Sequence, residues 1–182
     1  LPDGATVGAP APKPRGPRRI LITGGARSGK SVEAERRVAG EPQVTYVATG
    51  VGHDGDATWE ERVAVHRDRR PASWTTVETT DVAGVLDKAG PDETVLVDCA
   101  TLWLSAHLTA PDYDTTADAL VTAWRDTRAH VVLVTNEVGS GVHPATELGV
   151  RFADELGRLN ARLAAAADEV WLVVAGSPVR LR

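Results

Sequence analysis

The chain has 182 residues, of which 42% are hydrophobic and 25% are charged, and its formal net charge is −5. Its length suits one globular domain with a full-sized core, whereas the acidic balance excludes a general nucleic-acid-binding surface, because no basic surplus is present to neutralise a phosphate backbone. No apolar stretch approaches the ~20 residues that a membrane-spanning helix needs. The single Cys99 excludes an internal disulfide framework, which fits a reducing compartment, so we expect a cytoplasmic protein.

Residues 1–17 are rich in Pro, Gly and Ala and show no hydrophobic periodicity. This composition predicts a disordered tail or linker before a single domain that spans residues 18–182. The chain begins with Leu1 and contains no Met. That observation raises the hypothesis that it is one segment of a longer polypeptide, joined through residues 1–17.

From residue 19 onward, apolar runs typical of strands alternate with stretches typical of helices. Strands are predicted at 19–23, 44–48, 94–98, 130–135, 169–174 and, as a possible last strand, 179–182. Helices are predicted at 30–39, 57–70, 81–89, 115–129 and 146–167. Several strand runs are apolar at successive positions, which indicates burial on both faces of a parallel sheet. We therefore predict a three-layer α/β domain with a mostly parallel sheet and with its ligand sites at the carboxyl ends of the strands.

A complete phosphate-binding pattern, G-x-x-x-x-G-K-[ST], lies between the first predicted strand and the first predicted helix. It reads Gly-Gly-Ala-Arg-Ser-Gly-Lys-Ser over residues 24–31. A glycine-rich turn that leads into a helix directs several backbone N–H groups at one point, where the helix dipole also favours an anion. In this motif Lys30 reaches the β- and γ-phosphates, and the Ser31 hydroxyl is a ligand for Mg²⁺. The pattern therefore predicts a nucleoside triphosphate site.

Asp98 ends the buried run Thr-Val-Leu-Val-Asp at 94–98. A carboxylate at the tip of a second buried strand is what a phosphate-loop enzyme needs to hold Mg²⁺. The alternative is a helix cap for the following segment, since Asp is a good N-cap residue. Beside the phosphate loop, we favour the metal role.

The predicted helix 57–70 places Arg62, His66 and Arg69 on one face, at i, i+4 and i+7. A triphosphate would neutralise these stacked positive charges, but a solvated basic face with an incidental histidine explains the spacing equally well. His66 stands out because a neutral imidazole is a competent nitrogen nucleophile near neutral pH. Flanking arginines would favour its neutral form and stabilise charge on an attacked phosphate.

Other polar residues near strand ends remain ambiguous from spacing alone. Asn136 and Glu137 follow the strand 130–135, where they could cap a turn or contact a substrate. Glu78 follows the run 74–77, where it could accept hydrogen bonds from a ribose or a base, or be an exposed carboxylate. The remaining histidines show no paired metal-ligand spacing, and we expect surface or turn roles for them.

Taken together, these residues resemble one enzyme family. The resemblance covers about 19–182, and the segments that carry it are Gly24–Ser31, Tyr46–Thr49, Glu61–Val63 with His66, Arg70–Trp74, Val97–Cys99, Thr101–Leu104, Thr135–Gly139, Pro144, Asp154, Gly157–Arg158, Asn160 and Ala167–Val174. In this order they closely resemble the adenosylcobinamide kinase/adenosylcobinamide-phosphate guanylyltransferase family (CobU/CobP) of cobalamin biosynthesis.

The resemblance implies a bifunctional enzyme with a RecA-like P-loop fold, a homotrimeric assembly and Mg²⁺ as cofactor. ATP or GTP would phosphorylate the hydroxyl on the aminopropanol arm of adenosylcobinamide. GTP would then guanylylate His66 with release of pyrophosphate, and GMP would pass to adenosylcobinamide phosphate to give adenosyl-GDP-cobinamide. The residues that the resemblance assigns to GTP are Gly24, Gly25, Ala26, Arg27, Ser28, Gly29, Lys30, Ser31, Ala48, Thr49, Gly50, Arg67, Asp68, Arg69, Arg70, Glu78 and Asp98.

Two other functions are compatible with the phosphate loop. One is a small-molecule kinase that forms no covalent nucleotide intermediate. The other is a nucleotide-gated interaction module, in which hydrolysis only changes partners. Regulatory GTPases usually carry an Asn-Lys-x-Asp motif that reads guanine, and the nearest counterpart, Asn-Glu-Val-Gly at 136–139, lacks both the Lys and the Asp. The sequence therefore favours an enzyme.

Overall fold

The computed structural model describes residues 17–50 and 70–182, and within them one sheet is flanked by helices. The strands are β1 (Arg18–Gly24), β2 (Val44–Ala48), β3 (Thr75–Glu78), β4 (Thr94–Asp98), β5 (His130–Val134), β6 (Glu169–Val174) and β7 (Ser177–Arg180). The helices are α1 (Lys30–Val38), α2 (Val82–Lys88), α3 (Ala100–His107), α4 (Tyr113–Asp126) and α5 (Glu147–Ala166). None of the helices in these two ranges is long and apolar enough to cross a bilayer.

The strand order is β3-β2-β4-β5-β1-β6-β7. All neighbours are parallel except β6 and β7, which are antiparallel. One row of paired residues crosses five strands at their carboxyl ends, and it runs Glu78, Ala48, Asp98, Val134, Ile22. The phosphate-loop segment continues from β1 two residues past this row. The topology thus brings the predicted site residues of β1, β2, β3 and β4 to one edge of the sheet.

Apolar side chains fill both faces of the sheet. Because successive side chains of a strand point to opposite faces, Leu21 packs with helices α2 to α5, whereas Ile20 and Ile22 pack with Ala34 and Val38 of α1. The buried tryptophans belong to the first of these two layers. The result is the predicted three-layer α/β architecture with a mostly parallel sheet.

Most predicted elements are confirmed, with bounds that differ by up to three residues. The strand β3 is missing from the prediction because its four residues are short and mostly exposed, as in an edge strand. The helix α3 is also missing, because it is apolar on most sides and shows little helical periodicity. The last strand lies at 177–180 rather than 179–182, because a tight turn at Ala175 and Gly176 (φ 48° and 78°) reverses the chain early.

Two predictions fall outside the described residues. They are the tail or linker, of which residues 1–16 are not described, and the helix at 57–70, of which only Arg70 is described.

Candidate nucleotide site

The segment 24–31 joins the end of β1 to the start of α1, as the motif predicts. Gly29 is the N-cap of α1 with a left-handed φ of 96°, and no side chain caps the helix there. Side-chain caps from Asp81 and Thr146 start α2 and α5, whereas α3 and α4 resemble α1 in having none. The first-turn N–H groups of α1 therefore have no side-chain oxygen at the N-cap, which is the condition under which a helix start binds a phosphate.

Gly24 occupies a position that admits no side chain. A Cβ atom at Gly24 would lie 2.5 Å from the Val173 carbonyl oxygen and 2.7 Å from Ser28 Oγ. The turn between β6 and β7 supports the loop from the same side, because Gly176 N donates to the Ser28 carbonyl oxygen at 2.9 Å. Ser28 Oγ is buried and has no hydrogen-bond partner in the part of the chain that the structure describes. The loop is thus held in shape by its neighbours and has a polar atom to offer a ligand.

Lys30 and Ser31 begin α1. Lys30 Nζ donates to the Gly25 carbonyl oxygen at 3.2 Å, so its side chain curls back over the loop. This places a positive charge directly above the backbone that the motif assigns to phosphate. Ser31 follows on the first turn and is partly exposed.

Behind the loop, α1 is fixed by charged side chains. Glu33 is 7% exposed and accepts hydrogen bonds from Arg36 and Arg37. Arg37 also reaches Glu169 of β6 at 3.4 Å and stacks over Trp171 at 3.9 Å. Burial acts to raise the pKa of Glu33, but the hydrogen bonds and the charges of the two arginines together outweigh it and hold this pKa below its usual value. The anionic Glu33 therefore ties the phosphate-loop helix to β6 through Arg37.

Asp98 lies at the end of β4, where it is partly buried beside Tyr46. Tyr46 Oη donates to Asp98 Oδ2 at 2.7 Å. Burial and the Asp98 charge raise the pKa of Tyr46 far above its usual range, so the phenol keeps its proton and remains a donor. The guanidinium of Arg70 lies 3.4 Å from the centroid of the Tyr46 ring. The segment Tyr46–Thr49 belongs to the family pattern, but the contact of Tyr46 with Asp98 could not be predicted, because it depends on the pairing of β2 with β4.

Thr49 joins the ends of β2 and β4. Its hydroxyl donates to the Cys99 carbonyl oxygen at 2.7 Å and accepts from Cys99 N at 2.9 Å. Thr49 is only 1% exposed. Its side chain therefore fixes the backbone at Cys99, directly after Asp98. Burial and the nearby Asp98 charge raise the pKa of the Cys99 thiol to about 11, which makes this cysteine a poor nucleophile.

The remaining described nucleotide predictions lie on the same edge. Ala48 pairs with both Asp98 and Glu78 in the register, Gly50 is the last residue described after β2, and Glu78 is exposed at the end of β3. Strands are spaced about 4.8 Å apart, so Glu78 lies about 19 Å along the row from the phosphate-loop strand. Glu78 is therefore far from the phosphates and suited to another part of a ligand.

The carboxyl end of β5 lies between the loop and Asp98. Glu137 N donates to the Gly24 carbonyl oxygen at 3.1 Å. Asn136 is fixed by its backbone, since its N–H donates to Thr101 Oγ1 and its carbonyl oxygen accepts from Asn160 Nδ2. Asn136 Oδ1 is buried without a hydrogen-bond partner in the described ranges. Asn136 and Glu137 thus lie at the edge of the site. The hydrogen bonds of Thr101 and Asn160 with the Asn136 backbone could be recognised only in the tertiary structure.

Four of the predicted site residues, His66, Arg67, Asp68 and Arg69, lie outside the described residues. Among the residues that are described, no group of three or more His, Cys, Asp or Glu side chains could hold a metal ion. The two predicted ligands, the Ser31 hydroxyl and the Asp98 carboxylate, offer hard oxygen atoms but are too few to surround a metal ion. Such a set fits Mg²⁺ bound together with phosphate oxygens and water rather than a metal held by protein alone.

Fold and site together define a P-loop nucleotide-binding α/β protein of the RecA-like kind, in which a strand separates the phosphate-loop strand from the carboxylate strand. Similarity to solved structures concerns the fold alone. A protein of Pyrococcus horikoshii OT3 is 7% identical with a TM-score of 0.52, over 90% of this chain and 85% of that chain. The assembled ATPase EscN of the enteropathogenic E. coli type III secretion system is 12% identical with a TM-score of 0.50, over 87% of this chain and 43% of that chain.

The family model described as cobinamide kinase / cobinamide phosphate guanyltransferase matches residues 20–181, and the chain belongs to this family. Two relatives are named bifunctional adenosylcobalamin biosynthesis protein CobU. The relative from Salmonella typhimurium is 42% identical and that from Escherichia coli K12 is 40% identical, each over 90% of this chain and 99% of the relative. A relative from Pseudomonas aeruginosa, named CobP, is 41% identical over 90% of this chain and 97% of its own length.

Proposed function

We propose that the chain carries out two transfers at the carboxyl edge of its sheet. In the first, ATP or GTP phosphorylates the aminopropanol hydroxyl of adenosylcobinamide. In the second, GTP supplies GMP to the resulting phosphate to give adenosyl-GDP-cobinamide. The proposal rests on the glycine-rich loop at the start of α1, which lies on the same edge of the sheet as Asp98. The chain that carries this loop belongs to the enzyme family named above.

In the kinase step, the substrate hydroxyl attacks the γ-phosphorus and the bond to the β-phosphate oxygen breaks. The loop N–H groups and Lys30 hold the phosphates and stabilise the charge that gathers on them in the transition state. Gly24 lets the loop pack closely against Val173 and Ser28, and the β6–β7 turn holds Ser28 in place. Mg²⁺, bound by Ser31, Asp98 and phosphate oxygens, would supply neutralisation of the β- and γ-phosphate charge.

In the nucleotidyl step, the imidazole of His66 attacks the α-phosphorus of GTP and pyrophosphate leaves. The P–N bond formed keeps the transfer potential of the nucleotidyl group. A phosphate oxygen of adenosylcobinamide phosphate then attacks the same phosphorus, the P–N bond breaks, and His66 is regenerated. The assignment of His66, and of Arg67, Asp68 and Arg69 beside it, rests on the resemblance of residues 61–66 to the family pattern.

We assign the other nucleotide contacts by position. The loop residues Gly24 to Ser31 hold phosphate, Ala48 and Gly50 lie along the bound nucleotide at the end of β2, and Glu78 accepts hydrogen bonds from a ribose or a base. Arg70 offers charge to phosphate beside Tyr46. Thr49 contributes by holding the chain that follows Asp98. A homotrimeric assembly and a cytoplasmic location accompany this proposal as predictions.

Covalent labelling tests the two-transfer mechanism directly. Incubation with GTP labelled at the α-phosphorus, in the presence of Mg²⁺, is expected to leave an acid-labile, base-stable label on the peptide that contains His66. GTP labelled at the γ-phosphorus serves as the control, because it should label adenosylcobinamide but not the protein. Phosphorylation of adenosylcobinamide without any α-label on the protein would instead establish a kinase with no covalent nucleotide intermediate.

A further inference from the structure

Tyr46 contacts the predicted magnesium ligand Asp98 through its hydroxyl. It lies on β2 and is 2% exposed, and its Oη donates to Asp98 Oδ2 at 2.7 Å. Because a tyrosine hydroxyl has a single proton and a carboxylate only accepts, this contact uses the whole donor capacity of the phenol. The bond limits rotation of the Asp98 carboxylate about its Cβ–Cγ bond.

The ring of Tyr46 holds a second group of the site. The guanidinium carbon of Arg70 lies 3.4 Å from the ring centroid, and the Trp74 ring stacks nearby at 6.5 Å between centroids. Arg70 Nη1 also donates to Thr76 Oγ1 at 3.1 Å, whereas its buried Nε has no hydrogen-bond partner among residues 17–50 and 70–182. Contact with an aromatic face stabilises a cation and fixes the plane of the guanidinium.

We propose that Tyr46 is a positioning residue of the nucleotide site, which orients Asp98 through its hydroxyl and Arg70 through its ring. The inference rests on the proposed function, because it gives a part to Asp98 in holding Mg²⁺ with the nucleotide. Outer-shell groups that orient a metal ligand typically change metal affinity 10- to 100-fold when they are removed. The hydroxyl contact affects binding of the metal through Asp98, whereas the ring contact affects binding of the negatively charged phosphates through Arg70.

The second tyrosine of the chain is a matched control. Tyr113 Oη donates to Glu155 Oε2 at 3.2 Å, which is also a tyrosine-to-carboxylate hydrogen bond, but it joins α4 to α5. Tyr46→Phe and Tyr113→Phe each remove one such hydroxyl and keep the ring. A purely structural role for Tyr46 would lower the unfolding midpoint in the way that the Tyr113 change does, and would leave the Mg²⁺ dependence of binding unchanged.

The experiment measures equilibrium binding of a fluorescent, non-hydrolysable guanosine triphosphate while Mg²⁺ is titrated, and repeats the measurement in EDTA. For Tyr46→Phe we expect the Mg²⁺ concentration at half-maximal binding to rise about 10-fold or more, with the affinity in EDTA unchanged within about twofold. Tyr113→Phe should change neither quantity. A Mg²⁺ midpoint for Tyr46→Phe within about twofold of the parent value would overturn the inference and leave the proposed function intact.

Tyr46→Leu separates the ring from the hydroxyl. Because it also removes the surface under Arg70, we expect it to show the Mg²⁺ shift of Tyr46→Phe and, in addition, an affinity in EDTA that is weaker by about fivefold, since Arg70 must then be ordered on binding at a cost of about 1 kcal/mol. Equal EDTA affinity for the Leu and Phe variants would overturn the part assigned to the ring. If the parent protein bound the probe with no Mg²⁺ dependence, both the inference and the Mg²⁺ part of the proposed function would fail.

Discussion

The two halves of the nucleotide edge are built in different ways. At the β1–α1 half, backbone atoms form the site, with glycines at 24 and 29 and a helix start that has no side-chain cap. At the β2–β4 half, side chains form it, through the bonds of Tyr46 to Asp98 and of Thr49 to Cys99. The first half is therefore encoded by a contiguous motif, whereas the second exists only when two strands that are distant in sequence pair.

The largest effect is expected from removal of the Lys30 charge at the β1–α1 half. Lys30→Ala removes the cation that curls over the loop, so we expect both transfers to slow by about 100- to 1000-fold, while the unfolding midpoint changes little. Lys88→Ala, an exposed lysine in the last turn of α2, is the matched control and should have full activity. Rates for both transfers in the two variants check this prediction. Near-normal activity of Lys30→Ala would show that the motif is not the phosphate site.

A pair of glycine substitutions tests the shape of the same half. A Cβ at Gly24 would meet Val173 O at 2.5 Å, whereas a Cβ at Gly25 meets nothing within 4 Å. We therefore expect Gly24→Ala to lower the free energy of unfolding by about 2 kcal/mol and Gly25→Ala to leave it nearly unchanged. Denaturant titration of the two variants measures the difference. Equal stability would mean that the loop relaxes around the methyl group.

A hydroxyl deletion tests the half that side chains build. Thr49→Val keeps the shape of the side chain but leaves the buried Cys99 N–H without its acceptor, which costs about 1 kcal/mol of stability. The exposed Thr75→Val on β3 is the control for the β-propensity of valine. Denaturant titration measures the stability difference, and a separate nucleotide titration should show that only Thr49→Val weakens binding, because only Thr49 holds the chain that follows Asp98. A stability for Thr49→Val equal to that of the control would remove Thr49 from this account.

The smallest effect is expected at the opposite edge of the sheet. Asp168 accepts hydrogen bonds from the Arg19 side chain at 3.0 Å and from its backbone N–H at 2.7 Å, and the side-chain bonds lower its pKa. A lowered folded pKa contributes stability above the unfolded value of about 3.9, and this stability is lost as the pH falls through the folded pKa. Asp168→Asn should therefore flatten the acid limb of the stability curve without changing nucleotide binding. An acid limb as steep as that of the parent protein would contradict the assignment.

The same contrast explains how much the sequence could predict. The phosphate loop and Asp98 could be located because each lies where a run of apolar residues ends, and the fold class follows from the spacing of those runs. The contacts of Tyr46 could not be predicted, because Tyr46 and Asp98 are separated by 52 residues and meet only through the β2–β4 register. The strand β3 and the helix α3 also escaped prediction, since one is too polar and the other too uniformly apolar to show periodicity.

The central claim is that one triphosphate site serves two attacks, at the γ-phosphorus by a hydroxyl and at the α-phosphorus by His66. Both transfers are assayed side by side in His66→Ala, with His143→Ala as the control, since His143 is exposed in the segment before α5. We expect His66→Ala to phosphorylate adenosylcobinamide within about twofold of the parent rate, because His66 has no part in the proposed kinase step, while α-label transfer falls to background. Continued transfer of the α-label in His66→Ala would show that His66 is not the guanylylated residue.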